Sequence, residues 1–180
     1  MKAKVKVFAI TLFGIIFLVA CNGENEKREN TAEKVETEDI KELVYDYSVR
    51  NVTAKSASIT SEQLLVTDND GNEKAYELPE DEFFVSIAPY VNETHPCENH
   101  SLTGCQGELV NEQFHVYIED TEGNVIVDKT LESQANGFIN LWLPREQTYQ
   151  IKIEQGGKIV ESEFSTFDND GTCITTMQLI

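Results

Sequence analysis

Apolar residues recur along this chain in three different rhythms. The first is an unbroken run from Val7 to Ala20, short for crossing a bilayer but of the length of a signal-peptide core. Behind it lies NGENEKRENTAEKVETED, with no aromatic residue and a single β-branched aliphatic. Such a stretch cannot bury enough apolar surface to offset its chain entropy, so it reads as a disordered tether. The second rhythm is helical. Ile40, Leu43, Val44 and Tyr47 stand at i, i+3, i+4 and i+7, which predicts a helix opening at Glu38-Asp39-Ile40 and ending near Asn51. Two strand-like runs follow, at residues 63–67 and 74–78, and Asp68-Asn69-Asp70-Gly71 between them predicts a hairpin.

From Glu82 onward the period is two. EFFVSIAPYV, FHVYIED, NVIVDKTL, GFINLWLP, TYQIKIE, KIVESEFSTF and CITTMQLI form about seven strand candidates with short turns between them, the count and spacing of an antiparallel sandwich. GFINLWLPREQTYQIKI resembles the unit of glycine, strand, Leu-Pro, turn and Tyr strand in prealbumin-like and Cna-B-like sandwiches, a likeness that bears on fold and not on activity. The expected class is therefore α+β, mostly β. Residues 1–20 are expected to be a lipoprotein signal peptide and 21–38 a tether. Residues 39–80 should form a small helix and hairpin subdomain, and 81–180 a β-sandwich.

The formal charge of −18 includes the leader's lysines, and it argues against nucleic-acid binding because no basic face exists to displace phosphate counterions. Lys2, Lys4 and Lys6 precede the apolar run, and Leu18-Val19-Ala20-Cys21 resembles a bacterial lipobox with Cys21 as the lipidated residue. The valine two places before the cysteine departs from the commonest pattern, which leaves ordinary secretion open. The expectation is export, with a lipid anchor holding the chain to the outer face of a bacterial cytoplasmic membrane.

Candidate chemistry gathers in HPCENHSLTGC. Two of the chain's three histidines, His95 and His100, and two of its four cysteines, Cys97 and Cys105, fall within these residues. Thiolate is a soft donor and imidazole a borderline one, so the set suits Cu(I) or Zn(II) rather than Mg(II) or Ca(II). The spacing matches no standard zinc-finger template. A structural Cys97–Cys105 disulfide, which export permits, competes with the metal reading. It would leave Cys173 unpaired. On that alternative the chain is a disulfide-stabilised surface scaffold or adhesion module.

LPEDEFFVSIAPYV, C-x-x-H-S-L-x-x-C-Q-G-E-L, NGFINLWLP and TCITTMQL together resemble the CueP family of extracytoplasmic copper-binding proteins, over most of residues 78–179. The resemblance implies copper binding and copper tolerance in the cell envelope, with cysteines that map onto Cys97, Cys105 and Cys173, and with His100 inside the same motif. His95 is an additional candidate ligand. Cu(I) is the favoured cargo, to be sequestered, handed to an accepting protein or formed from Cu(II) by the thiols with the help of a thiol-disulfide reductant. Zinc is the rival, because three cysteines and one histidine also make a closed tetrahedral site. The lipobox departs from freely periplasmic members and points to a single-membrane host, where their partners need not carry over.

Other candidates read as structural. Met177 would lie ~13 Å beyond Cys173 on an extended strand at ~3.3 Å per residue, so it is assigned to the core, as is Trp142. His115 alternates with Phe114, Val116 and Ile118 and should face solvent. Glu108 reads as a solvated carboxylate, although it could orient an imidazole. Asp68 to Gly71 lacks the earlier ligand of a calcium loop and reads as a turn, as does Asp168 to Gly171. There is no G-x-S-x-G elbow, phosphate-binding glycine loop, H-E-x-x-H helix or C-x-x-C. A binding protein is expected, not an enzyme.

Overall fold

The structure, a computed structural model, describes residues 37–180. The expected signal peptide, most of the tether and Cys21 lie outside the described residues. Helix α1 spans Thr37–Ser48, and Ile40 and Val44 on its apolar stripe are almost fully buried. It stops before Asn51: Ser48 turns its hydroxyl back to the Val44 carbonyl at 2.8 Å, and Arg50 adopts φ +62°. That left-handed residue ends the helical hydrogen-bond run.

Strands β1 (Ser56–Ile59), β2 (Gln63–Thr67) and β3 (Glu73–Glu77) follow. The predicted hairpin is β2–β3, and Asp68 closes it by accepting N–H bonds from Asp70 and Asn72. β1 escaped the periodicity reading because SASI is short and half serine. Then come β4 (Glu82–Ile87), β5 (His100–Ser101), β6 (Gln113–Asp120), β7 (Val125–Glu132), β8 (Ile139–Pro144), β9 (Thr148–Gln155), β10 (Lys158–Ser165) and β11 (Cys173–Ile174). They assemble into sheets ordered β3-β2-β1-β5, β10-β9-β6-β7 and β11-β4-β8.

The chain is mostly β with antiparallel sheets and one short helix, as expected. The main core lies between the four-stranded sheet β10-β9-β6-β7 and one face of β11-β4-β8. Phe83, Val85 and Ile87 of β4 meet Phe114, Val116 and Ile118 of β6 there, together with Met177 and Leu179. The other face of β4 and β8 carries Phe84 and Trp142 into a second cluster with α1 and the N-terminal sheet. Covering on both faces explains why FFVSI reads as a continuous run rather than an alternation. Trp142 is only partly buried, packed edge-on against Phe84 with Lys41 over its ring. Arg145 ties the layers together, donating from Nε to the Glu82 carbonyl at 2.9 Å and from its terminal nitrogen to the Ser61 carbonyl.

Two strand expectations need correction. EFFVSIAPYV leaves the sheet after Ile87, before Pro89, which has no N–H to donate. CITTMQLI is a strand only at Cys173–Ile174, and it runs parallel to β4, with Cys173 opposite Ser86. A single parallel bridge between Tyr90 and Gln178 resumes the pairing. No helix among the described residues is long and apolar enough to cross a membrane.

Candidate metal centre

The segment 88–107 runs from the end of β4 around one end of the sandwich and is sewn down on three sides. His100 and Ser101 pair with Ile59 and Ser58, so the loop adds strand β5 to the N-terminal sheet. Cys173 donates its N–H to the Glu98 carbonyl at 3.0 Å, and Thr94 donates its hydroxyl to the Thr175 carbonyl at 2.7 Å. Gly107 donates its N–H to the Asn136 carbonyl at 2.7 Å. This last approach requires glycine at both positions where the segments meet. A Cβ on Gly107 would stand 2.5 Å from the Gly137 oxygen, and one on Gly137, at φ +79°, 2.7 Å from the Gly107 oxygen.

These ties bring His95, Cys97, His100, Cys105 and Cys173 together. The Cys97 and Cys105 sulfurs are 3.4 Å apart as separate thiols. The Cys173 sulfur lies 3.6 Å from Nδ1 of His100. Their donor atoms form two compact sets: His95, Cys97 and Cys105 lie within 4.8 Å of one another, and so do His100, Cys105 and Cys173. Neither set contains all three sulfurs, and Cys105 belongs to both. His115 is elsewhere, exposed on β6 and 3.0 Å from Asp128.

Burial and hydrogen bonding divide the three thiols. Cys105 is held well below the ordinary thiol range, first by the Cys173 thiol and then by His100, His95 and the Ser101 N–H, against the opposing effect of burial. Cys173 is pushed up by donating to Cys105 and by burial. Cys97 is raised chiefly by burial. Of the three, Cys105 is the thiol whose surroundings most favour the thiolate, the form of cysteine that ligates metals.

Two neighbours escaped the sequence reading, and a third has another role than expected. The Phe138 ring packs 4.4 Å from His100 and 6.3 Å from His95, centroid to centroid. Thr172 accepts the His100 N–H at 2.9 Å and donates to the Ile59 carbonyl at 2.6 Å. Glu108 is neither free nor turned to an imidazole. It accepts N–H bonds from Val91 at 2.6 Å and Asn92 at 2.9 Å, anchoring the start of the loop. Phe138 and Thr172 lie inside NGFINLWLP and TCITTMQL, where strand periodicity masked them. On both histidines Nε2 is buried without a protein partner, and buried polar atoms rarely stay unpaired without a reason. Soft sulfurs, imidazoles and an apolar wall suit a soft, borderline metal ion.

Residues 39–178 match the family model described as "Periplasmic copper-binding protein CueP". The chain belongs to the CueP family. A solved structure titled "Crystal Structure of S.CueP" is similar to it at 38% identity, with a TM-score of 0.73 over 78% of this chain and 88% of that one. Comparison with curated proteins finds no match. Family membership implies an exported protein whose partner is a metal ion, and it makes copper the metal against which the CueP-like cluster is to be read.

Proposed function

We infer that the protein binds Cu(I) through Cys97, His100, Cys105 and Cys173, with His95 at the margin, and that it sequesters the ion or hands it on outside the cytoplasm. The observation that carries this reading is the Cys105 sulfur, which lies within one donor set with His95 and Cys97 and within another with His100 and Cys173 at one end of the sandwich. Thiolate donors discriminate against hard ions. The scaffold reading needs Cys97 and Cys105 permanently bridged, and counting free thiols in protein purified without reductant tests it.

Zinc competes for the same donors. Titration with Cu(I) and Zn(II) together at buffered free concentrations decides between them, and copper retained in zinc excess is the expected result. Changing Cys97, Cys105 and Cys173 together to serine should abolish Cu(I) binding. Unaltered binding in that variant overturns the reading. The protein acts as a carrier and not an enzyme, although its thiols can reduce Cu(II) while forming a disulfide, which a thiol-disulfide reductant would reopen. Cys21 is the proposed lipid attachment point. Labelling of cells with a radioactive fatty acid should mark the protein and should fail for Cys21→Ser.

A further inference from the structure

The donors around Cys105 exceed what one Cu(I) ion, with its low coordination number, takes at once, and they centre on two places. The set of His95, Cys97 and Cys105 is half-buried throughout. In the set of His100, Cys105 and Cys173, His100 is 0% and Cys173 7% exposed. A cleft of about 240 Å³ opens on the His95 side, lined by Glu93, Thr94, His95, Gln106, Gly107 and Glu108. Solvent therefore reaches the first set at His95, whereas the second set is the more deeply buried of the two. Phe138 packs against both imidazoles and closes the apolar wall behind them.

Resting on the copper reading above, we propose that the centre offers two copper positions used in turn: a receiving position at His95, Cys97 and Cys105, and a holding position at His100, Cys105 and Cys173. The ion keeps its bond to the Cys105 sulfur while bonds to His95 and Cys97 break and bonds to His100 and Cys173 form. Copper stays Cu(I), so no electron moves. The proton displaced from the Cys173 thiol goes to the Cys97 sulfur that the metal leaves. Exchange around one retained sulfur avoids a bare ion at any stage, and the buried second position protects the cargo from competing ligands.

The test uses the full chain with Cu(I) maintained by a non-thiol reductant, a coloured Cu(I) chelator as competitor, and stopped-flow mixing for loading and removal. Wild type is measured first; failure to bind there removes the copper reading itself, independently of the two positions. His95→Ala combined with Cys97→Ser alters only the half-buried loop. It should still bind one Cu(I) at the holding position, with affinity lowered clearly less than in Cys105→Ser, while loading and chelator-driven removal both slow several-fold. Cys173→Ser should still bind one Cu(I) at the receiving position, with lowered affinity and faster removal. Circular dichroism establishes that each variant is folded, and if Cys173→Ser is not, the rates of the double variant decide alone. Two positions are overturned if the double variant loses as much affinity as Cys105→Ser, since all donors then serve one site. They are equally overturned if its rates match wild type, or if folded Cys173→Ser binds no copper.

Discussion

The thiol of Cys173 stands 3.6 Å from Nδ1 of His100, although 73 residues separate them. Neither residue reaches that place by local structure. β11 must dock parallel to β4, putting Cys173 opposite Ser86, and β5 must join β1, putting His100 opposite Ile59. The buried half of the candidate metal centre therefore exists only when the sandwich is closed and the N-terminal sheet is in place.

Metal binding must then stabilise the fold, because an ion that binds the native chain in preference to the unfolded one shifts the unfolding equilibrium by mass action. At free Cu(I) of about 100 times Kd the gain is ~2.7 kcal/mol. Differential scanning calorimetry with and without Cu(I) should show a raised Tm in wild type. Cys105→Ser, which removes the sulfur common to both donor sets, should show none.

Thr172 makes a second test of how the site is held. Its fully buried hydroxyl accepts from the His100 backbone and donates to Ile59. Thr172→Val preserves the shape and removes both bonds, leaving buried polar groups unpaired at a cost of about 1–3 kcal/mol. Urea unfolding should report that loss. Cu(I) affinity should fall as well, because the His100 backbone loses its tie to the strand that carries Cys173.

Glu108 predicts an acid limit. The Asn92 and Val91 N–H groups, with the Asn92 side chain, hold its carboxyl down at about 2 against an ordinary value of 4.5. A carboxyl whose pKa is lower in the folded state contributes stability that is fully present above 4.5 and is lost as pH falls toward about 2. Glu108→Gln cannot titrate. Its unfolding midpoint should lie below that of wild type at neutral pH, and the difference should shrink across this acid window. A constant difference at every pH would show that the anchor does not depend on the charge.

Periodicity made the sandwich legible because β6 alternates cleanly, with Phe114, Val116 and Ile118 inward and His115 exposed. The helix was legible for the same reason at its own period. β1 and β5 were not, since a four-residue and a two-residue strand carry too few positions to show an alternation. The parallel docking of β11 depends on which backbone groups β4 leaves free, and no local pattern expresses that. At the site, the density of cysteine and histidine marked the donors. Their division into two sets about Cys105, the Phe138 wall and the Glu108 anchor come from tertiary contacts alone.

The closeness of Cys97 and Cys105 sets the last prediction. Their sulfurs are 3.4 Å apart as thiols, whereas Cys173 is buried behind them. Oxidation should therefore join Cys97 to Cys105 in preference to either pairing with Cys173, since a disulfide of ~2.05 Å needs only a small approach there. With Cu(II) as oxidant, Cys97 and Cys105 release their thiol protons to solvent and give up one electron each, two Cu(II) become two Cu(I), and one disulfide forms, in keeping with the two-electron couple. Mixing the reduced protein with Cu(II) and a Cu(I)-specific chelator should yield two Cu(I) per Cys97–Cys105 disulfide, with the bridge located by peptide mass spectrometry. Closing that bridge removes both donor sulfurs from the half-buried donor set and the shared sulfur from the buried one. The oxidised protein should therefore bind little Cu(I) until a thiol reductant reopens it. Full Cu(I) binding by protein shown to carry the disulfide would mean that Cys105 is not the common ligand.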